Sequence, residues 1–170
     1  TLSIDLGNTT TVVSFQREGD AIPSLIELPP ISRKEGEIPS LVWFDKGREE
    51  SLLIGQQVIE KGLANNEHQY LSRDFKRWIG SYSKPNTASK ISPEKAGELL
   101  LQQIWKQLPS HFQVRRLVLT APIDCYRNYR TWLHGVCSSL PVQEIALVDE
   151  PTAAAMGAGL PPGSKLLVID

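Results

Sequence analysis

The chain of 170 residues is poor in sulfur, with two cysteines, Cys125 and Cys137, and one methionine. Two cysteines outside a C-x-x-C spacing do not make a disulfide framework. Only three histidines could complete a metal set, so a structural zinc site is not expected. Both thiols are read as reduced, as in a cytoplasmic protein. Long apolar runs are also lacking: none reaches the roughly 18 residues of a membrane span. No basic segment leads into an apolar one at the start, and Asp5 interrupts the first apolar stretch, so no signal peptide is read. Without such a signal, the Asn8-Thr9-Thr10 glycosylation pattern is read as chance. The missing initiator methionine reads as processing or trimming. Glycine and proline number 12 each, which is too few for collagen or a low-complexity chain. The remaining composition, 41% hydrophobic and 22% charged, is that of an ordinary folded domain.

A net charge of -1 argues against a general nucleic-acid or membrane binder. The charge is unevenly spread. Residues 1–72 carry 6 basic and 11 acidic groups, residues 73–134 carry 11 and 4, and residues 135–170 carry 1 and 4. A basic middle between acidic flanks fits either a polyanion or a solvated surface balanced by its neighbours.

The pattern predicts a strand over residues 2–6, a turn at Gly7-Asn8 with glycine free to take positive φ, and a strand over 10–15. A third strand over 21–28 ends at Pro29-Pro30. Residues 31–90 read as a smaller unit bounded by proline-containing turns. It should hold strands near 41–44 and 52–54, a helix from Gln56 to about Ala64, and a helical stretch from about His68 to Trp78 that stops at Gly80. Ser92 and Pro93 open a helix whose stripe runs through Ala96, Leu100, Ile104 and Leu108. The chain then alternates: strand 117–119, helix 126–138, strand 144–148, helix 152–159, strand 165–169. Such alternation indicates parallel strands covered by helices.

Four motifs could carry chemistry. Asp5-Leu6-Gly7-Asn8-Thr9-Thr10-Thr11 sets a carboxylate beside turn amides and hydroxyls able to cradle phosphate oxygens, and a plain hairpin turn uses the same residues. Lys76-Arg77 closes a helical stretch, where basic groups also suit the helix dipole. Tyr126 to Trp132 interleaves aromatics and arginines. On a helix Tyr126, Tyr129 and Leu133 share one side while Arg127 and Arg130 share another, which is amphipathic packing and not a stacking surface. Asp149-Glu150-Pro151 follows a strand, where α/β proteins place ligands and where helices also begin.

Taken in order, D-L-G-N-T-T-T, I-P-S-L-V-W-F, F-K-R-W-I-G, L-T-A-P-I-D-C-Y-R-N-Y-R, V-D-E-P-T-A-A-A-M-G-A-G-L and L-L-V-I-D resemble the ATPase domain of the seventy-kilodalton heat-shock chaperones, the DnaK-like family. The resemblance spans residues 2–170. It implies an α/β, actin-like and ribonuclease-H-like lobe with a five-stranded mixed sheet. The larger subdomain would comprise residues 1–30 and 91–170, and a small α+β subdomain residues 31–90. By the same resemblance Asp5 helps hold hydrated Mg2+ on the phosphates of ATP or ADP. Gly7, Asn8, Thr9 and Thr10 form the phosphate turn, Lys76 orients the attacking water and the γ-phosphate, and Glu150 meets the metal-bound or attacking water. Asp170 opens a second phosphate loop and also serves the metal. Pro122, Arg130 and Pro151 match residues that couple nucleotide state to the rest of the chaperone. The implied parent is a stress-response ATPase that binds and releases unfolded polypeptides with a J-domain co-chaperone and a nucleotide-exchange factor.

The sequence also departs from that pattern. Asn8 and Thr10 replace a Thr and an Asn of the usual turn. A β-hairpin usual before the Ser92 helix is missing. The chain stops at Asp170, before the family's second lobe, so the isolated chain is expected to be a weak binder of Mg-ATP, beyond millimolar, and a poor catalyst. Two other readings stay open. G-A-G-L-P-P-G-S resembles bacterial MreB-like filament ATPases, although K-R-W-I-G does not. A non-catalytic interaction module derived from the chaperone lobe is the second.

Overall fold

The computed structural model describes residues 1–47, 52–65, 67–83, 88–123, 126–159, 161, 163–165, 167 and 168, with Tyr126 described by its backbone alone. Strands β1 (Leu2–Asp5) and β2 (Thr10–Phe15) form the first hairpin, with Leu2 opposite Phe15 and Asp5 opposite Val12. Alternation in β2 buries Thr11, Val13 and Phe15 and leaves Thr10, Val12 and Ser14 half-exposed, as a period of two requires. On its other edge β1 pairs in parallel with β8 (Arg116–Ala121), and β8 pairs in parallel with β9 (Glu144–Asp149). The path across the sheet runs from β3 (Ser24–Leu25) through β2, β1 and β8 to β9. The chain is thus α/β with a mixed sheet.

Among the described residues that sheet has six strands, one more than the resemblance implies. The third strand shrinks to the two residues of β3, which covers only Ser14 and Phe15 of β2. The rest of that edge is taken by β4 (Glu37–Pro39), opposite Thr10, Thr11 and Val12. A short partner leaves backbone donors and acceptors exposed, and a second short strand satisfies them. Gly36, at φ 71°, lets the chain pass so close that a Cβ there would meet the Leu25 side chain at 2.6 Å.

A second sheet lies over residues 42–72, where β5 (Val42–Phe44) is flanked by β6 (Leu52–Ile54) and β7 (Leu71–Ser72), both antiparallel. The helical stretch expected over 68–78 is a correction. Leu71 and Ser72 join the sheet, and only Lys76–Trp78 winds, as a 3-10 turn. Asp74 at φ 54° breaks any continuous helix between the two. Helix α1 (Gln56–Glu60) is also shorter than expected, because Gly62 at φ 68° ends it.

Helix α2 (Pro93–Gln107) follows its sequence signals. Ser92 Oγ accepts from the Lys95 amide at 3.1 Å, Pro93 opens the first turn, and Ala96, Leu100 and Ile104 are fully buried. Helix α3 (Tyr126–Cys137) packs on it through Trp132, whose Nε1 donates to the Glu94 carbonyl at 3.1 Å. Gly97 makes room: a Cβ there would lie 2.7 Å from the Trp132 ring. Tyr129 and Leu133 face the core while Arg127 and Arg130 are exposed, the division that helical spacing implies. Cys137 is a buried free thiol whose pKa burial pushes up to about 11. Cys125 lies outside the described residues.

Helix α4 (Glu150–Gly157) follows β9 without a loop. The strand expected over 165–169 is not seen: Lys165, Leu167 and Val168 are not in a strand, and Leu166 and Ile169 lie outside the described residues. One continuous core joins the large sheet, α2 and α3 to Ile31, Ile38, Val42, Ile54, Phe75 and Ile79. A smaller cluster of Leu53, Val58 and Leu71 underlies the second sheet.

Candidate phosphate-facing site

Three parallel neighbours, β1, β8 and β9, end on the same edge of the large sheet, and their carboxyl ends are where open α/β sheets build ligand crevices. Asp5 closes β1 and is exposed. Thr120, on the adjacent strand, donates its Oγ1–H to Asp5 Oδ1 at 2.6 Å. The register continues across β9, with Thr120 beside Val148 and Ala121 beside Asp149. Glu150 comes next in the chain.

Lys76 comes to this edge from the 3-10 turn that follows β7. Its Nζ lies 2.6 Å from Glu150 Oε1, with the two side chains 14% and 21% exposed. Glu150 Oε1 nevertheless has no aligned hydrogen bond, so the contact is an ion pair by proximity. The turn that carries Lys76 is tightly held. Gly80, at φ 73°, donates its amide to Glu94 Oε1 at 3.1 Å and accepts from Asn128 Nδ2 at 2.8 Å. A Cβ on Gly80 would sit 2.8 Å from the Tyr129 backbone nitrogen, so the turn presses on α3.

The first turn meets the same region. Gly7 is required by close approach and not by positive φ: an added Cβ would fall 2.0 Å from the Thr10 carbonyl oxygen. Its own carbonyl accepts from Ser40 Oγ at 2.7 Å, and Ser40 Oγ shares a buried 2.9 Å hydrogen bond with Thr11 Oγ1. The Thr9 carbonyl accepts from the Ser40 amide at 2.9 Å, leaving the Thr9 side chain exposed. Thr10 begins β2 and is half-buried. Asn8 Nδ2 donates to Asp74 Oδ1 at 3.1 Å, which ties the turn to the segment just before Lys76. Asn8 Oδ1 is buried without a hydrogen-bond partner.

Asp149 and Glu150, adjacent in the chain, do different work. Asp149 caps α4, its Oδ1 accepting from the Thr152 amide at 2.9 Å. The Thr152 side chain, and then its backbone amide, hold the Asp149 carboxyl below the usual carboxylate range. Glu150 turns instead to Lys76. Pro151 occupies the first turn of α4, Pro122 follows β8 half-buried, and Arg130 is exposed on α3. Asp170 lies outside the described residues.

The geometry thus brings together Asp5, the Gly7–Thr10 turn, Lys76 and Glu150, and it adds Thr120, Asp74 and Ser40, which the sequence reading missed. Thr120 had a signal, since β8 continues the alternation begun at Leu117. Asp74 and Ser40 had none short of the fold. Among the described residues, no three His, Cys, Asp or Glu side chains gather closely enough to hold a metal ion by themselves. No helix among them is long and apolar enough to cross a membrane.

No family model matches the chain. It is similar to the chaperone protein DnaK of Thermosipho melanesiensis, 28% identical over 165 residues, covering 94% of this chain and 26% of the relative. It is similar also to the chaperone protein DnaK of Thermotoga neapolitana, 26% identical over 170 residues, covering 96% of this chain and 27% of the relative. The chain spans about a quarter of the length of the curated relatives it matches. Over nearly its whole length, then, the chain is similar to one segment of the DnaK chaperones.

Proposed function

We propose that the chain forms one side of the Mg-ATP phosphate site in a chaperone ATPase domain, as the first lobe of an actin-like fold. Residues 1–30 and 91–170 make its larger subdomain and residues 31–90 the smaller one. The observation that carries this reading is the Lys76–Glu150 pair at 2.6 Å, on the sheet edge that also holds Asp5. Opposite charges drawn from segments 74 positions apart onto a carboxyl edge suit a ligand that is itself anionic and metal-bound.

Phosphoryl transfer asks a protein mainly for positioning and for charge stabilisation. The exposed Gly7–Thr10 turn offers amides and hydroxyls to phosphate oxygens. Lys76 offers a point positive charge to a terminal phosphate and to an attacking water. Glu150 accepts a hydrogen bond from that water and so orients it. Mg2+ bound to the nucleotide would supply charge neutralisation. It usually keeps several waters and needs only one or two protein carboxylates, which fits Asp5 and Glu150 without a dedicated cage. Asp170 is the third acid of the proposed set. Pro122, Arg130 and Pro151 are proposed to pass the nucleotide state onward. Binding of unfolded polypeptides, and control by a J-domain co-chaperone and an exchange factor, are proposed for the longer protein.

The test is a titration of the isotopically labelled 170-residue chain with Mg-ATP, followed by amide resonances. Saturable shifts at Gly7–Thr11, Lys76, Thr120 and Glu150 are expected, and Lys76→Ala should abolish the shifts at Glu150. Shifts confined to other surfaces, or none up to tens of millimolar, would favour a non-catalytic interaction module.

A further inference from the structure

We propose that Asp74 is a positioning residue for the first turn: its carboxylate holds the Asn8 carboxamide by Nδ2, sets the second N–H of that amide for a phosphate oxygen, and latches the turn to the Lys76 segment. The phosphate half rests on the function proposed above, while the latch between the two segments does not.

The contact joins residues 66 positions apart, with Asn8 Nδ2 donating to Asp74 Oδ1 at 3.1 Å. Asp74 stands two residues before Lys76, where β7 gives way to the 3-10 turn. Among the described residues it is the only one other than glycine with positive φ, at 54°. Aspartate enters that backbone well more readily than most residues, yet glycine enters it with no steric cost. A residue held there against its preference persists where its surroundings fix it, and such positions gather at ligand clamps. Asp74 is exposed, so core packing does not account for the side chain. What the side chain does is hold Asn8.

The orientation of the carboxamide is a second, independent sign. Asn8 Oδ1 is buried without a hydrogen-bond partner. Turning the amide over would set Oδ1 against the Asp74 carboxylate, acceptor against acceptor. The charge on Asp74 therefore decides the orientation, although a buried acceptor is left unpaired. An asparagine Nδ2 carries two protons, and Asp74 takes one. The other remains on the turn beside the exposed Thr9. The threonine that the DnaK-like pattern has in place of Asn8 carries its hydroxyl one bond nearer the backbone and has a single proton to give. It could not serve Asp74 and a phosphate together.

Residues 31–90 thus grip the first turn twice. Ser40 holds its backbone through the Gly7 and Thr9 carbonyls, and Asp74 holds its side chain. Lys76 belongs to the 3-10 turn that Asp74 leads into. A phosphate seated on the turn then meets Lys76 in a fixed relation, and fixed relation is most of what phosphoryl transfer needs.

The experiment compares the wild-type 170-residue chain with Asp74→Gly, Asp74→Asn and Asn8→Thr. Asp74→Gly keeps the positive φ without strain and removes the side chain, so a purely backbone role survives it. Asp74→Asn keeps an acceptor oxygen and tolerates the same φ. Without ligand, the Asn8 side-chain amide resonances should move in Asp74→Gly and return toward their wild-type positions in Asp74→Asn. Amide exchange at Trp78 and Ile79, which donate to the Phe75 and Lys76 carbonyls, should quicken in Asn8→Thr by about fivefold, the scale of one hydrogen bond. Mg-ATP, followed through the turn amides, should bind about fivefold more weakly to Asp74→Gly, and Asp74→Asn should recover most of that loss. Unmoved Asn8 side-chain amides in Asp74→Gly, or unchanged exchange at Trp78 and Ile79 in Asn8→Thr, overturn the latch. If Asp74→Gly fails to fold, Asn8→Thr decides. Equal Mg-ATP affinity in Asp74→Gly overturns the positioning role, and so does tighter binding, which would mean that the carboxylate only repels the phosphate. If the latch is seen while neither the wild type nor any variant binds Mg-ATP, the latch stands and the nucleotide reading fails.

Discussion

Replacing Lys76 by Met keeps most of the apolar stem of the side chain and removes its charge. Glu150, 21% exposed, then loses the ammonium 2.6 Å away. At that distance the gross attraction is about 6 kcal/mol for an effective dielectric of about 20. Desolvation of both groups cancels much of it. Stranding one partner of a fully buried pair costs about 3–5 kcal/mol, and an exposed pair is worth about 0.2–1 kcal/mol. At 14% and 21% exposure this pair falls between, so Lys76→Met should destabilise the chain by about 2 kcal/mol. For a chain of this size that lowers the melting midpoint by about 6 °C. The assay is urea unfolding of wild type, Lys76→Met, Glu150→Gln and the double variant. Glu150→Gln should restore part of what Lys76→Met loses, with a coupling of about 1–2 kcal/mol that persists in high salt, because a mostly buried pair is little screened. A coupling below about 0.5 kcal/mol would show that the two groups merely sit close, and the charge logic of the site would fall with it.

Gly7→Ala should open the first turn by about 1 Å and cost about 3 kcal/mol in urea unfolding, because the new Cβ meets backbone and not a flexible side chain. Gly135→Ala is the control: nothing lies within 4 Å of its added Cβ in α3, so it should stabilise by about 1 kcal/mol. Asp149→Ala should weaken the start of α4, seen as faster amide exchange at Thr152. Because the Thr152 contacts lower the Asp149 pKa in the folded chain, its contribution is complete above the ordinary Asp value of about 3.9. That contribution is lost as pH falls through the lowered folded value, so wild type and Asp149→Ala should converge in acid. Divergence there would refute the capping role.

Local rules were enough wherever a local cause decides the structure. Ser92-Pro93 announces α2 because a hydroxyl cap and a proline act within one turn. Leu117 to Val148 reads as parallel strand, helix, strand because each element carries its own periodicity. The misreading at 68–78 has the opposite cause. Leu71 and Ser72 are strand only because Val42 and Trp43 lie alongside, and that pairing is set by the fold. The sixth strand is likewise a consequence of β3 being too short to cover β2. At the site, the motif residues Asp5, Gly7, Lys76 and Glu150 could be named from a resemblance, yet their mutual distances could not. Lys76 reaches Glu150 because the turn at Gly80 is clamped by Glu94 and Asn128, groups on two different helices.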